Sequence, residues 1–184
     1  MVATAGRGRL VVALMCGAVL ALTGCESSTE GAEVPATSTV AAEAPTGFDP
    51  CTDIPENILD AEGLEDPMPD KSQASGMKWS GCTYVQTDGY AASIRTTNIT
   101  VDMVKDKGFA GTTEFAIGAR RAIISKQGES GADTTCNVNV EMVGGSLEFL
   151  LDNPPSRDKT GHLDTCELAR TLAEKVTPSI PEAA

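Results

Sequence analysis

The chain has 184 residues, with 14 Lys+Arg against 26 Asp+Glu, a formal net charge of −12 at pH 7. That balance argues against a nucleic-acid partner, whose phosphates call for a basic face, and against direct attraction to anionic lipid head groups. Only 4% of the residues are aromatic, so a core must rely on aliphatic side chains and gains from cross-links.

Residues 1–24 carry the three parts of an export signal. Arg7 and Arg9 give a basic start, no acidic residue precedes Glu26, and Leu10 to Leu22 is apolar. The apolar run is about 13 residues, which suits a signal-peptide core and falls short of the roughly 20 that a spanning helix needs. Small residues then lead into a cysteine, in the order Leu22-Thr23-Gly24-Cys25. This stretch resembles the bacterial lipobox, in which a Leu, a small residue and Gly or Ala precede the lipidated Cys. The resemblance implies cleavage between Gly24 and Cys25 and a diacylglyceryl group on the Cys25 sulfur. Each buried CH₂ contributes about 0.8 kcal/mol, and two or more acyl chains hold a protein stably. The expected address is therefore the extracytoplasmic face of the cell membrane, with acyl chains on Cys25 as the membrane contact. Cys16 lies in the apolar run and leaves with the signal.

Removing residues 1–24 takes away two arginines and no acid, so the net charge of the remainder falls from −12 to −14. Residues 26–47 contain no aromatic and no basic side chain. Small, polar and acidic residues bury too little apolar area to offset ordering entropy, so residues 25–47 are expected to form a flexible tether after lipidation. As a flexible coil it would reach roughly 25 Å. Residues 48–178 have the length of one extracytoplasmic domain, followed by a short tail, 179–184.

Four cysteines fall in that domain: Cys51, Cys82, Cys136 and Cys166. An even number in an exported chain implies disulfides. Three pairings are possible. Cys51–Cys82 with Cys136–Cys166 is favoured, and the crossed Cys51–Cys166 with Cys82–Cys136 stays open. Zinc sites place ligands two to four residues apart, a spacing absent here, so no metal and no cofactor are expected.

Along the domain, a short helix is predicted from Pro55, capped by Asp53 and ended at Gly63. Residues 65–77, with two prolines, read as loop. Lys78–Gln86 and Ala91–Ile99 read as strands joined across Thr87-Asp88-Gly89. Thr100 can cap a brief helix, Val101–Lys107, ended by Gly108. Glu114–Ile117 and Arg121–Lys126 form a weaker strand pair around Gly118. Cys136, Val138, Val140 and Met142 alternate with Asn137, Asn139 and Glu141, then Gly144-Gly145 turns into Ser146–Leu151, which describes a hairpin. Leu163–Val176 is an amphipathic helix with Cys166, Ala169, Leu172, Ala173 and Val176 on one side. A cysteine on a sheet face could bridge to one on a helix covering it, which is the reason for pairing Cys136 with Cys166. The predicted class is α+β: an antiparallel sheet of about five or six strands, with an N-terminal and a C-terminal helix packed on it, cross-linked by disulfides.

Three segments together carry a family resemblance. They are Phe48-Asp49-Pro50-Cys51-Thr52-Asp53-Ile54-Pro55, Trp79-Ser80-Gly81-Cys82, and Asp164-Thr165-Cys166-Glu167-Leu168-Ala169 with Leu172-Ala173. They resemble the actinobacterial lipoproteins grouped as domain of unknown function 3558, over roughly residues 48–178. That family often has a tryptophan two residues after its second cysteine; Tyr84 stands there in this chain. The resemblance implies an envelope lipoprotein and supplies no activity.

No G-x-S-x-G elbow, P-loop or G-x-G-x-x-G fingerprint occurs. His162, the one histidine, reads as an exposed loop residue before the last helix. Arg120-Arg121 reads as a solvated strand end or an anion contact. Asn98-Ile99-Thr100 fits a glycosylation sequon by coincidence. The expectation is a non-catalytic envelope lipoprotein, not an enzyme, that binds an envelope protein or component. The alternatives are a carrier of a lipid or other apolar ligand, with room left by Ala169 and Ala173, and a cell-wall hydrolase that would use His162.

Overall fold

A computed structural model describes residues 40–126 and 134–184, all within one compact unit, Thr37–Ala184. Gly24, Cys25 and most of the expected tether lie outside the described residues.

Among the described residues, seven strands form one antiparallel sheet. They are β1 (Leu64–Ala74), β2 (Met77–Gln86), β3 (Ala91–Thr97), β4 (Thr113–Ile117), β5 (Arg120–Ser125), β6 (Thr135–Met142) and β7 (Gly145–Asp152), in the order β1-β2-β3-β7-β6-β5-β4. Three helices, α1 (Glu56–Glu62), α2 (Val101–Lys107) and α3 (Thr165–Val176), accompany them, and a 3₁₀ turn, Thr177–Ser179, follows α3.

The α+β class, the antiparallel sheet and the disulfides are present, but the sheet has seven strands where five or six were expected; the third helix, α2, is the brief one expected after Thr100. The extra strand is β1, formed from residues read as loop. Pro67 and Pro69 are tolerated because β1 is an edge strand, where a missing N–H costs no ladder bond. The register also slips between Glu65 and Met68, and Asp66 takes a φ of 52° there.

Local chemistry sets the helix ends. Thr100 Oγ1 accepts from the Met103 N–H at 3.2 Å and opens α2, while the left-handed Gly108 closes it. Asp164 accepts from the Glu167 N–H at 2.9 Å, so α3 begins at Thr165 and not at Leu163. The expected Asp53 cap on α1 is replaced. Pro55 is the N-cap residue, and the Asp53 carboxylate instead accepts from the Asp49 N–H at 2.8 Å.

Alternation gives the sheet two unlike faces. One presents Tyr84, Ile94, Val138, Val140, Leu147, Phe149 and Leu151, and α3 covers it with Ala169, Leu172, Ala173 and Val176 in a single buried core. The small alanines let α3 approach β6 and β7, and their side chains are fully enclosed. On the other face Val101 and Val104 of α2 pack on Ile123 in a smaller cluster.

Candidate binding cleft

The two bridges join Cys51 to Cys82, with an S–S distance of 2.07 Å, and Cys136 to Cys166, at 1.99 Å. The first ties the opening turn to β2. That turn is built by Asp49, whose Oδ1 accepts from the Cys51 N–H at 3.0 Å and whose carbonyl accepts from the Asp53 N–H at 2.8 Å. Tyr84 donates its hydroxyl to the Pro50 carbonyl at 2.7 Å, in the buried layer next to the bridge. Gly81 permits the close strand approach here, since a Cβ would sit 2.1 Å from the Ile94 carbonyl oxygen. The second bridge pins α3 to β6, the helix-to-sheet link anticipated from the periodicities.

Residues 40–47, from the segment expected as tether, run against one end of the sheet. Asn98, fully buried, holds them there. Its Nδ2 donates to the carbonyls of Ala41 at 2.7 Å and Gly76 at 2.9 Å, and its Oδ1 accepts from the Lys78 N–H at 2.8 Å. The asparagine of the apparent sequon thus clasps this strap to the β1–β2 hairpin. Glu43 pairs with the Lys78 ammonium. Pro45 passes so near Gly145 that a Cβ there would lie 2.9 Å from the proline Cδ.

Between this strap and the β1–β2 hairpin lies an open cleft of about 720 Å³. Glu43, Pro45 and Phe48 line one side, and Lys71, Gln73, Lys78 and Ser80 line the other. The register sets Lys71 opposite Ser80 and Gln73 opposite Lys78, so these four side chains share one face of the hairpin. Thr96 stands beside Ser80 on β3 and donates to its carbonyl at 3.1 Å. Among the described residues the Lys71 ammonium has no ion-pair or hydrogen-bond partner.

The opposite sheet face carries a polar network. Arg95 on β3 bonds Asp70 on β1 at 3.1 Å and pairs with Glu148 on β7. Glu148 also accepts from the Trp79 indole N–H at 3.2 Å and from Asn137 Nδ2 at 3.3 Å. Asn137 and Asn139 alternate with the core residues as expected, and both are fully buried on this opposite face. Among the described residues, their Oδ1 atoms and Ser125 Oγ have no hydrogen-bond partner.

Arg120 and Arg121 part company. Arg120 donates to the carbonyls of Glu141 at 3.0 Å and Ala184 at 3.1 Å, and also to that of Pro181, so it clasps the C-terminal residues. Arg121 meets Asp102 at 2.7 Å and Glu114 at 2.8 Å, and these hydrogen bonds hold both carboxyls below their ordinary range. His162 is exposed in a separate cleft of about 480 Å³ with Asn153, Asp164 and Thr165. Among the described residues, no group of three or more His, Cys, Asp or Glu is placed to hold a metal ion. None of the described helices is long and apolar enough to cross a membrane.

The strap and Lys71 escaped sequence reasoning. Residues 40–47 have the composition of a linker, and Lys71 sits in the stretch whose prolines hid β1. The free ammonium in an acidic chain was a signal, but without the register it had no neighbours.

A family model described as Protein of unknown function (DUF3558) matches residues 20–179. No curated protein and no solved structure matches the chain.

Proposed function

Given that the chain belongs to the DUF3558 family, we propose that it is a cell-envelope lipoprotein: acylated on Cys25 after cleavage behind Gly24, held on the extracytoplasmic face of the membrane, and acting as a non-catalytic binding module. The observation that carries this reading is the cysteine accounting. Cys51, Cys82, Cys136 and Cys166 satisfy one another in two bridges, which fits an oxidising compartment. The domain's framework therefore has no use for Cys25, which follows Leu22-Thr23-Gly24 inside the matched stretch. An acidic surface gains nothing from anionic head groups, so acyl chains would do the holding.

The cleft between the strap and the β1–β2 hairpin is a binding surface that suits such a module. It combines apolar walls, Pro45 and Phe48, with a few polar groups on a rigid hairpin, the usual make-up of a ligand site. It also lies directly against the segment that leads to Cys25.

Two experiments test the reading. Cells grown with radiolabelled palmitate label the wild-type chain and leave Cys25→Ala unlabelled; an unlabelled wild type removes the anchor. A pull-down from detergent-solubilised envelopes recovers a protein or envelope component on the tagged chain beyond what bare resin retains; equal recovery removes the envelope-binding role.

A further inference from the structure

We propose that the cleft binds an oxyanion group of a ligand between Lys71 and Lys78, with the strap's Glu43 as a built-in competitor. The inference rests on the reading of this domain as a binding module and names the chemistry of its ligand.

The chain as a whole carries a net charge of −12, so a place that gathers two ammonium groups stands out electrostatically. The register makes Lys71 and Lys78 diagonal neighbours on one face of the hairpin, about 7–8 Å apart with their Cβ atoms somewhat closer. Two long side chains at that spacing can close on one tetrahedral or planar oxyanion. Gln73 and Ser80, beside them, offer side-chain donors that bond no other described residue.

The acidic groups at the cleft do not fill this role permanently. Asp49 turns its Oδ1 to the Cys51 N–H at 3.0 Å, and Asp70 lies on the opposite sheet face with Arg95 at 3.1 Å. Glu43 does pair with Lys78, but its side chain is 74% exposed. Exposed pairs of this kind shift an equilibrium by about five-fold at most, so a ligand oxyanion can displace it.

The test uses the full chain carrying Cys25→Ser, which lacks the acylation site, and follows backbone amides by NMR at constant ionic strength. Inorganic phosphate is expected to move the amides of Glu43, Lys71, Gln73, Lys78 and Ser80 saturably. Adding Glu43→Gln tightens that binding about two- to five-fold, and Lys71→Met, an exposed change on an edge strand, weakens it about three-fold or more. Phosphate shifts that avoid these amides, or an affinity that Glu43→Gln leaves unchanged, overturn the proposal. Maltose moving the same amides while phosphate does not also overturns the oxyanion assignment, yet leaves the binding reading standing. The loss of that reading shows separately, as equal recovery in the pull-down. Vesicles of equimolar phosphatidylglycerol and phosphatidylcholine identify the source. Retention of the Glu43→Gln chain above wild type places the oxyanion on a lipid head group, and a response to free phosphate alone places it on a soluble ligand.

Discussion

Arg95 shows how a single side chain can hold four strands. It reaches Asp70 on β1 and Glu148 on β7, while Glu148 is bonded by Trp79 on β2. The side chains of Arg95 and Glu148 are 14% and 4% exposed, so the pair is screened little by water. Replacing Arg95 by Met leaves the Glu148 charge buried with only the indole and an amide, and is expected to cost about 3 kcal/mol in chemical denaturation. A double variant, Arg95→Met with Glu148→Gln, recovers part of that loss because the orphaned charge is gone. The chain's two tyrosines give a second residue-scale prediction. Tyr90 donates its hydroxyl to Glu62 at 3.1 Å; burial first, then the Glu62 charge, holds its phenol well above the ordinary value of 10.0. Tyr84 is raised in the same direction by burial and then by Asp49. The unfolded chain therefore gives up phenol protons at a pH where the folded chain keeps them, and stability falls as pH climbs from about 10. An alkaline absorbance titration checks this: the tyrosinate band stays weak through the ordinary phenol range and rises together with loss of structure.

At the scale of elements, the strongly periodic segments were legible and the irregular ones were not. The hairpin of β6 and β7, the strands β2 and β3, helix α2 with its Thr100 cap and the amphipathic α3 all follow from alternation, spacing and turn residues. β1 was missed because prolines inside a strand are a loop signal everywhere except at an edge, and being at an edge is a property of the sheet. The burial of the polar positions of β6 was not legible for a similar reason. Asn137 and Asn139 alternate correctly, but burial of the second face depends on what lies over it. Each disulfide closes a loop of about 30 residues, which the chain-entropy model values at about 3.6 kcal/mol before strain. Converting Cys136 and Cys166 together to Ala is expected to lower unfolding stability by about that amount. Equilibrium denaturation of the double variant checks it, and α3 should lose its amide-exchange protection first, since that bridge is its covalent tie to β6.

At the scale of the whole molecule, the N-terminal strap and the C-terminal residues both close on the sheet. Asn98 clasps the strap, and Arg120 clasps the chain's last residues. Asn98→Ala removes three hydrogen bonds at once and leaves the Ala41 and Gly76 carbonyls and the Lys78 N–H without their partner. It is expected to cost about 2–3 kcal/mol and to make residues 40–47 accessible to limited proteolysis in the otherwise folded chain. If proteolysis instead leaves that segment as resistant as in the wild type, Asn98 is not what holds it. The proposed cleft depends on the same contact, because the strap is one of its walls.

The sequence alone determined the features that a short stretch of residues encodes by itself: the family resemblance, the Thr100 cap, the glycine stops at Gly63 and Gly108, and the period of the well-formed strands and helices. These rest on local sterics, on side-chain alternation and on composition, none of which needs a distant neighbour. Only the tertiary structure decided that residues 64–74 make an edge strand, that residues 40–47 lie against the sheet, and that Lys71, Lys78 and Glu43 line one cleft. Those outcomes turn on strand order and register, and register is fixed by contacts between residues far apart in the chain.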